Sequence, residues 1–215
     1  MIFYLDTDRY LCGMRNPTET KGAILNHAGG LFNVQGYRAT SISHITDATG
    51  FTKGAIYRHF KSKEKLEEQT LVHLTEVMFE KMRAEIKQKS NAVEKLKAII
   101  HFFESYVTKP PIKGGCPLLN VAIEADDQSP HLRKKANLIL DVLKQSIVTL
   151  LTNGQKFDQI KKEIDLEYFA TVMIASLEGA IMMSKLSKSN RDIQIVITHL
   201  EKMIEGIAEK KLTVD

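Results

Sequence analysis

The sequence predicts an all-α protein of about nine helices, and three observations carry that expectation. Apolar residues recur three and four positions apart along nearly the whole chain, the spacing that puts them on one face of a helix. No clear two-residue alternation brackets a hairpin turn, so strand signals are weak. The five prolines, Pro17, Pro110, Pro111, Pro117 and Pro130, all sit where helices would begin or end.

Taken in order, residues 1–17 differ from the rest and form an N-terminal extension of unassigned role, with Met14 a possible natural start. A first helix opens at Thr18, which can cap it, with Glu19 in its first turn and Ile24, Leu25, Ala28, Leu31, Phe32 and Val34 as its apolar stripe. Gly36 ends it. Thr40 or Ser41 caps a short helix through Ala48, Gly50 makes a turn, and Thr52 caps a further helix to His59. Ser62 opens a long helix into the high eighties, with Leu66, Leu71, Leu74, Met78 and Met82 inward. Helices follow at about 91–108, 116–127 and 131–153. A polar linker, Gln155 to Glu163, precedes two final helices at about 165–187 and 190–210.

Composition bounds the function classes. Hydrophobic content of 43% and charged content of 26% are those of a globular protein. No uninterrupted apolar run reaches the roughly 18 residues of a membrane span, and the start lacks a signal-peptide pattern, so a cytoplasmic protein without a membrane partner is expected. Cys12 and Cys116 are too few for a disulfide scaffold and lack metal-ligand spacing; the seven histidines show no His-x-x-x-His pair. No metal or cofactor is expected.

The net charge of +4 is unevenly placed. Between residues 37 and 65, six basic residues (Arg38, Lys53, Arg58, Lys61, Lys63, Lys65) face two acidic ones (Asp47, Glu64), so this window carries the whole excess. Such clustering is the footprint of a polyanion partner.

The same window reads TSISHITDATGFTKGAIYRHFKSKEK. Ile42 and Ile45 face inward, Ala48 is small where two helices would cross, and Gly50 suits a tight turn. Phe51, Ile56 and Phe60 supply core. Thr52, Lys53, Gly54, Tyr57 and His59 are left outward, as on a helix-turn-helix that offers its second helix to the major groove of double-stranded DNA. Lys53 suits base edges or phosphate, Gly54 close backbone approach, Tyr57 and His59 phosphate, and Thr40 and Ser41 a phosphate clamp at a helix start. Lys61 and Lys65 add backbone charge.

From Gly36-Tyr37 through Thr40-Ser41, Gly50, Thr52-Lys53-Gly54-Ala55-Ile56-Tyr57 and His59-Phe60 to Lys63-Glu64, this stretch closely resembles the DNA-binding domain of TetR-family regulators. Thr46 and Thr49 stand where that family often has alanine. The resemblance implies a DNA-binding domain at 18–62 and a ligand-binding and dimerisation domain at 63–215. It also implies a homodimeric repressor, released from a near-palindromic operator by a small molecule or reactive electrophile, and no enzyme. Dimerisation would use the last two helices, through Phe169, Val172, Ser176, Gly179, Ala180, Ile193, Ile197, Leu200 and Ile204.

The C-terminal region gives weaker signals. Phe102, Phe103, Tyr106, Cys116, Asn120, Leu138, Phe169, Met182 and Met183 are candidate pocket residues, the aromatic and methionine stripe among them reading equally as ordinary helix core. Cys116, at a helix start beside Lys113, has two readings: a small buried residue that helps helices pack, or a thiol whose pKa the helix start lowers and which senses an electrophile or oxidant. An enzyme using Cys116 with His131 or His101 lacks any signature for an orienting group or oxyanion hole. A regulator without ligand sensing would have a solid C-terminal core.

Overall fold

The computed structural model describes residues 17–125 and 129–209. Among these lie nine helices: α1 (Pro17–Gln35), α2 (Ile42–Thr49), α3 (Lys53–His59), α4 (Lys63–Lys87), α5 (Ala92–Thr108), α6 (Pro117–Glu124), α7 (Pro130–Lys156), α8 (Leu166–Ser187) and α9 (Arg191–Ile207). The all-α expectation holds; an isolated bridge, Ile160 to Ala208, is the strand-like pairing present. The extension before Pro17, with Cys12 in it, lies outside the described residues.

Local chemistry sets the boundaries. Ser41 caps α2 by accepting from the His44 N–H, while the His44 ring accepts from the Ser41 N–H. Thr52, Ser62, Asn91 and Asp165 each accept an N–H from the first turn of the helix they precede. Pro117 and Pro130 open α6 and α7, where a missing N–H costs nothing. Gly50 ends α2 at φ +68°, a left-handed conformation most side chains resist. α1 begins one residue before the expected Thr18 cap, at Pro17.

α1, α2 and α3 form a small cluster closed by Ile24, Phe32, Ile45, Ile56 and Phe60. α4 joins it to the larger body: it packs on α1 and also contacts α5, α6 and α7. All five residues expected inward on α4 are buried. α5 is central in the body, against α4, α7, α8 and α9, and α8 pairs with α9.

Several expectations need correction. Val34 and Ala48 are exposed, so neither serves the core. The 155–163 segment is pinned as well as polar: Ile160 is buried against Gly154 of α7, where even a Cβ would collide with it. α8 is long and apolar enough to cross a membrane by length and composition. Its Phe169, Met173, Leu177 and Ile181 are instead buried in the bundle, the ordinary reason for an apolar helix in a packed domain.

Candidate nucleic-acid interface and ligand cavity

The outer surface of α3 is built from its cap outward. Thr52, Lys53, Gly54 and Tyr57 are exposed there, while Ile56 anchors the helix below. Ser41 lies exposed at the start of α2. First-turn amides of a helix have no partner within the helix, so each start is suited to a phosphate oxygen. Lys53, Arg58 and Lys61 are exposed and form no ion pair among the described residues. Arg58 was counted in the basic window but not among the expected contacts; its position on the exposed side of α3 was the available signal.

Other expected contacts are placed differently. Thr40 is fully buried, and its hydroxyl donates to the Gly36 carbonyl at 2.7 Å, so it fastens the α1–α2 connection and offers nothing to a phosphate. His59 is half-buried at the end of α3, its ring 6.3 Å from that of Phe60, not at the helix start. Lys65 is exposed but held by Glu68 at 2.8 Å. Lys63 is turned inward, donating to the Tyr37 carbonyl at 3.0 Å and pairing with Glu67 at 3.3 Å.

A cavity of about 520 Å³ opens between α6, α7 and α8. Leu118, Leu119, Ala122, Ala125, Ala136, Leu140, Ile174 and Ala175 line it, with Arg133, Asn137, Lys144, Thr171 and Glu178 as polar members. The pocket residues expected from sequence do not meet there. Phe102, Phe103 and Tyr106 pack on one another as buried core, with ring centroids 5.8–6.0 Å apart. Phe169 is also core, while Leu138, Met182 and Met183 stand on the surface. Asn120 binds α1, donating to the Asn33 backbone and side-chain oxygens. Small alanines give no sequence signal that separates a cavity wall from ordinary helix. Glu178 did give one, as the single charged residue between Phe169 and Met183.

Cys116 is fully buried as the residue preceding α6 and donates its thiol to Glu178 Oε1 at 3.1 Å. Burial, and next the Glu178 carboxyl, push the thiol well above its ordinary range. Of the two readings of Cys116 this supports the buried packing residue over the lowered thiol: desolvation outweighs the helix start. Burial raises the Glu178 carboxyl too. Among the described residues no group of three or more His, Cys, Asp or Glu could hold a metal ion.

The expected dimer residues are largely interior. Phe169, Ala180, Ile193, Ile197, Leu200 and Ile204 are buried within this one chain, because the stripes of α8 and α9 pack on each other and on α5. Val172, Ser176 and Gly179 remain partly exposed, and a Cβ on Gly179 would meet nothing. Beside them the outer face of the pair exposes Tyr168, Ala175, Met182, Met183, Leu186 and Ile195.

A basic helix-turn-helix carried on a larger helical body defines a DNA-binding transcriptional regulator. Residues 24–70 match the model of bacterial regulatory proteins of the tetR family, and residues 92–200 match a tetracyclin repressor-like C-terminal domain. A TetR transcriptional regulator from Chloroflexus aurantiacus is 36% identical and superposes with a TM-score of 0.85 over 91% of this chain and 98% of that one. A TetR-family regulator from Cytophaga hutchinsonii is 31% identical, with a TM-score of 0.84 over the same shares. The HTH-type transcriptional regulator TtgR of Pseudomonas putida is 28% identical over 168 residues, 76% of this chain and 79% of that protein. The chain belongs to the TetR family of DNA-binding transcriptional regulators, which are not enzymes.

Proposed function

We propose that this protein is a homodimeric, ligand-responsive repressor that leaves a near-palindromic operator when a small molecule fills the cavity between α6, α7 and α8. The observation that carries this reading is the pairing of an exposed basic α3 surface with a mostly apolar cavity in the body that holds it. Residues 18–62 would read DNA, and residues 63–215 would bind ligand and dimerise. Ser41, Thr52, Lys53, Gly54, Tyr57, Arg58 and Lys61 are the proposed DNA contacts.

The exposed apolar face of α8 and α9 supports a second copy as partner, since a patch of this kind on a soluble body marks an interface. Two-fold symmetry then places two α3 helices on successive major-groove faces of a palindromic site. A repressor of this kind works where the chromosome is, in the cytoplasm. The cavity favours this reading over a regulator without a ligand, which would have a solid core. A ligand acts by preferring the arrangement that does not fit DNA.

Footprinting on DNA upstream of its own and neighbouring genes tests the main claim. Protection of a near-palindrome is expected, with affinity about 10³-fold or more above random DNA and falling with salt. Failure to protect any such site at moderate salt overturns it. Light scattering tests the dimer: Met183→Glu with Leu186→Glu is expected to give monomers, and an unchanged mass overturns that interface.

A further inference from the structure

One carboxyl in the cavity wall, Glu178, forms no ion pair among the described residues. Glu178 Oε1 accepts the Cys116 thiol, but Oε2 is buried with no hydrogen-bond partner. The Tyr106 hydroxyl is likewise buried and unpartnered, and burial first, then the charges that Cys116 and Glu178 would carry, hold its proton. A buried polar atom left without a partner costs about 1–3 kcal/mol relative to one that is paired.

The cations nearby are committed elsewhere. Lys144 turns to Glu167 at 3.6 Å, Lys185 donates to the Gly114 carbonyl at 2.9 Å, and Arg133 is engaged as well. Burial holds the Glu178 carboxyl above its ordinary range, and no positive neighbour draws it back down. The remaining wall is mostly apolar, with Leu118, Leu119, Ala122, Ala136, Leu140 and Ile174 and the uncharged Asn137 and Thr171. A cavity of about 520 Å³ matches one small ligand and no macromolecule.

We propose that this cavity binds an apolar molecule carrying one cationic nitrogen, whose N–H donates to the Glu178 carboxylate. A protonated amine supplies both things the site lacks, a hydrogen-bond donor and a positive charge, and its body fills the aliphatic wall. A ligand carboxylate would face Glu178 with like charge. A neutral alcohol could share a proton with Glu178 but would leave no charge-assisted bond. This inference rests on the small-molecule reading above and adds the chemical class.

The test uses three probes with one body, decylamine, decanol and decanoate, titrated by calorimetry into the full-length protein at neutral pH. Decylamine is expected to bind at least about tenfold tighter than decanol, with decanoate weakest, the margin of a charge-assisted hydrogen bond over a neutral one. Glu178→Gln is expected to remove the amine's advantage and leave decanol within about twofold, because only the charged bond is lost. Equal binding of amine and alcohol, tighter binding of decanoate, or no binding of any probe by protein that footprints its operator overturns the proposal. Release of that operator by decanol or decanoate would sink the cationic class and leave the ligand-responsive reading standing. If Glu178→Gln does not fold, the wild-type ranking decides the class. Ala136→Leu, which narrows the cavity from its α7 wall, is expected to weaken all three probes; unchanged binding refutes this location.

Discussion

Glu124, in the last turn of α6, holds the start of the DNA-binding segment: its Oε2 accepts the Tyr37 N–H at 2.7 Å and the Arg38 N–H at 3.2 Å. These amides lie between α1 and α2. The same helix forms one wall of the cavity proposed to take a ligand, through Leu118, Leu119 and Ala122. At its other end Asn120 donates to Asn33 of α1 at 3.0 Å, and Asn33 donates to the Lys113 and Gly115 carbonyls at 2.8 and 2.9 Å. One short helix therefore touches the cavity, the last turn of α1 and the first residues of the α1–α2 connection. A ligand that shifts α6 would tilt the reading head.

Glu124→Ala should expose this link. Loss of a carboxylate that caps two amides is expected to lower stability by about 1–3 kcal/mol. The larger effect should be on coupling. The variant is expected to keep a DNA affinity within about tenfold of wild type, while ligand changes that affinity less, since typical coupling energies are only about 1–3 kcal/mol. Fluorescence anisotropy on operator DNA with and without ligand measures both. Full ligand response in a folded Glu124→Ala protein would show that α6 does not act through this carboxylate.

Thr40 and Ser41 are adjacent in sequence and opposite in role. Thr40→Val removes a buried donor to Gly36 and should cost about 1 kcal/mol of stability. At temperatures where the variant stays folded, its DNA affinity should be unchanged. Ser41→Ala removes an exposed cap and should cost about 1 kcal/mol too, together with measurable DNA affinity. Thermal melts with anisotropy separate the two. A Thr40→Val protein that melts normally but binds DNA poorly would restore Thr40 to the interface.

Lys53 and Lys65 are expected to differ in kind. Lys53 is the first residue of α3, exposed and outside any ion pair among the described residues, so Lys53→Ala should lower specific affinity by about 1–3 kcal/mol and narrow the margin over random DNA. Lys65 is held by Glu68, so Lys65→Ala should weaken cognate and random DNA alike, with a smaller loss. Titrations on both DNAs at two salt concentrations decide it. Equal losses on both DNAs for Lys53→Ala would refute its place at base edges.

The two halves of the molecule were not equally legible in the sequence. The reading head was, because its chemistry is local: Ser41 and Thr52 cap helices, Gly50 turns, and Ile45 and Ile56 close the core within a few residues of one another. Thr40 was misplaced because a hydroxyl at a helix start is as able to bond a backbone carbonyl as a phosphate. The cavity was not legible. It depends on where α6, α7 and α8 leave space, and residues such as Ala122 and Ala136 read as ordinary helix formers. The apolar stripes of α8 and α9 were found, but periodicity cannot say whether a stripe meets its own chain or another. Here α5 and the paired helix take it, leaving Leu186 and Ile195 outside.

Cys116 carries the last prediction. A thiol this buried, bonded to Glu178 and held protonated, is a poor nucleophile at neutral pH. In a Cys12→Ser background, labelling by a disulfide reagent at about pH 7.5 is expected to be about 10³-fold slower than in the urea-unfolded chain, because reaction waits for local opening. The same shift sets a pH dependence. The folded chain keeps the thiol protonated while the unfolded chain releases it near pH 9, so its contribution to stability is full below that value and falls as pH rises beyond it. Cys116→Ala should therefore lose stability less steeply than wild type between about pH 8.5 and 10.5, a window set by the ordinary thiol value and the direction of the shift. Rapid labelling of the native protein at neutral pH, or identical alkaline slopes for the two proteins, would mean that the thiol is accessible and ionised, and the sensing role expected from its place at a helix start would then be open to direct assay with electrophiles.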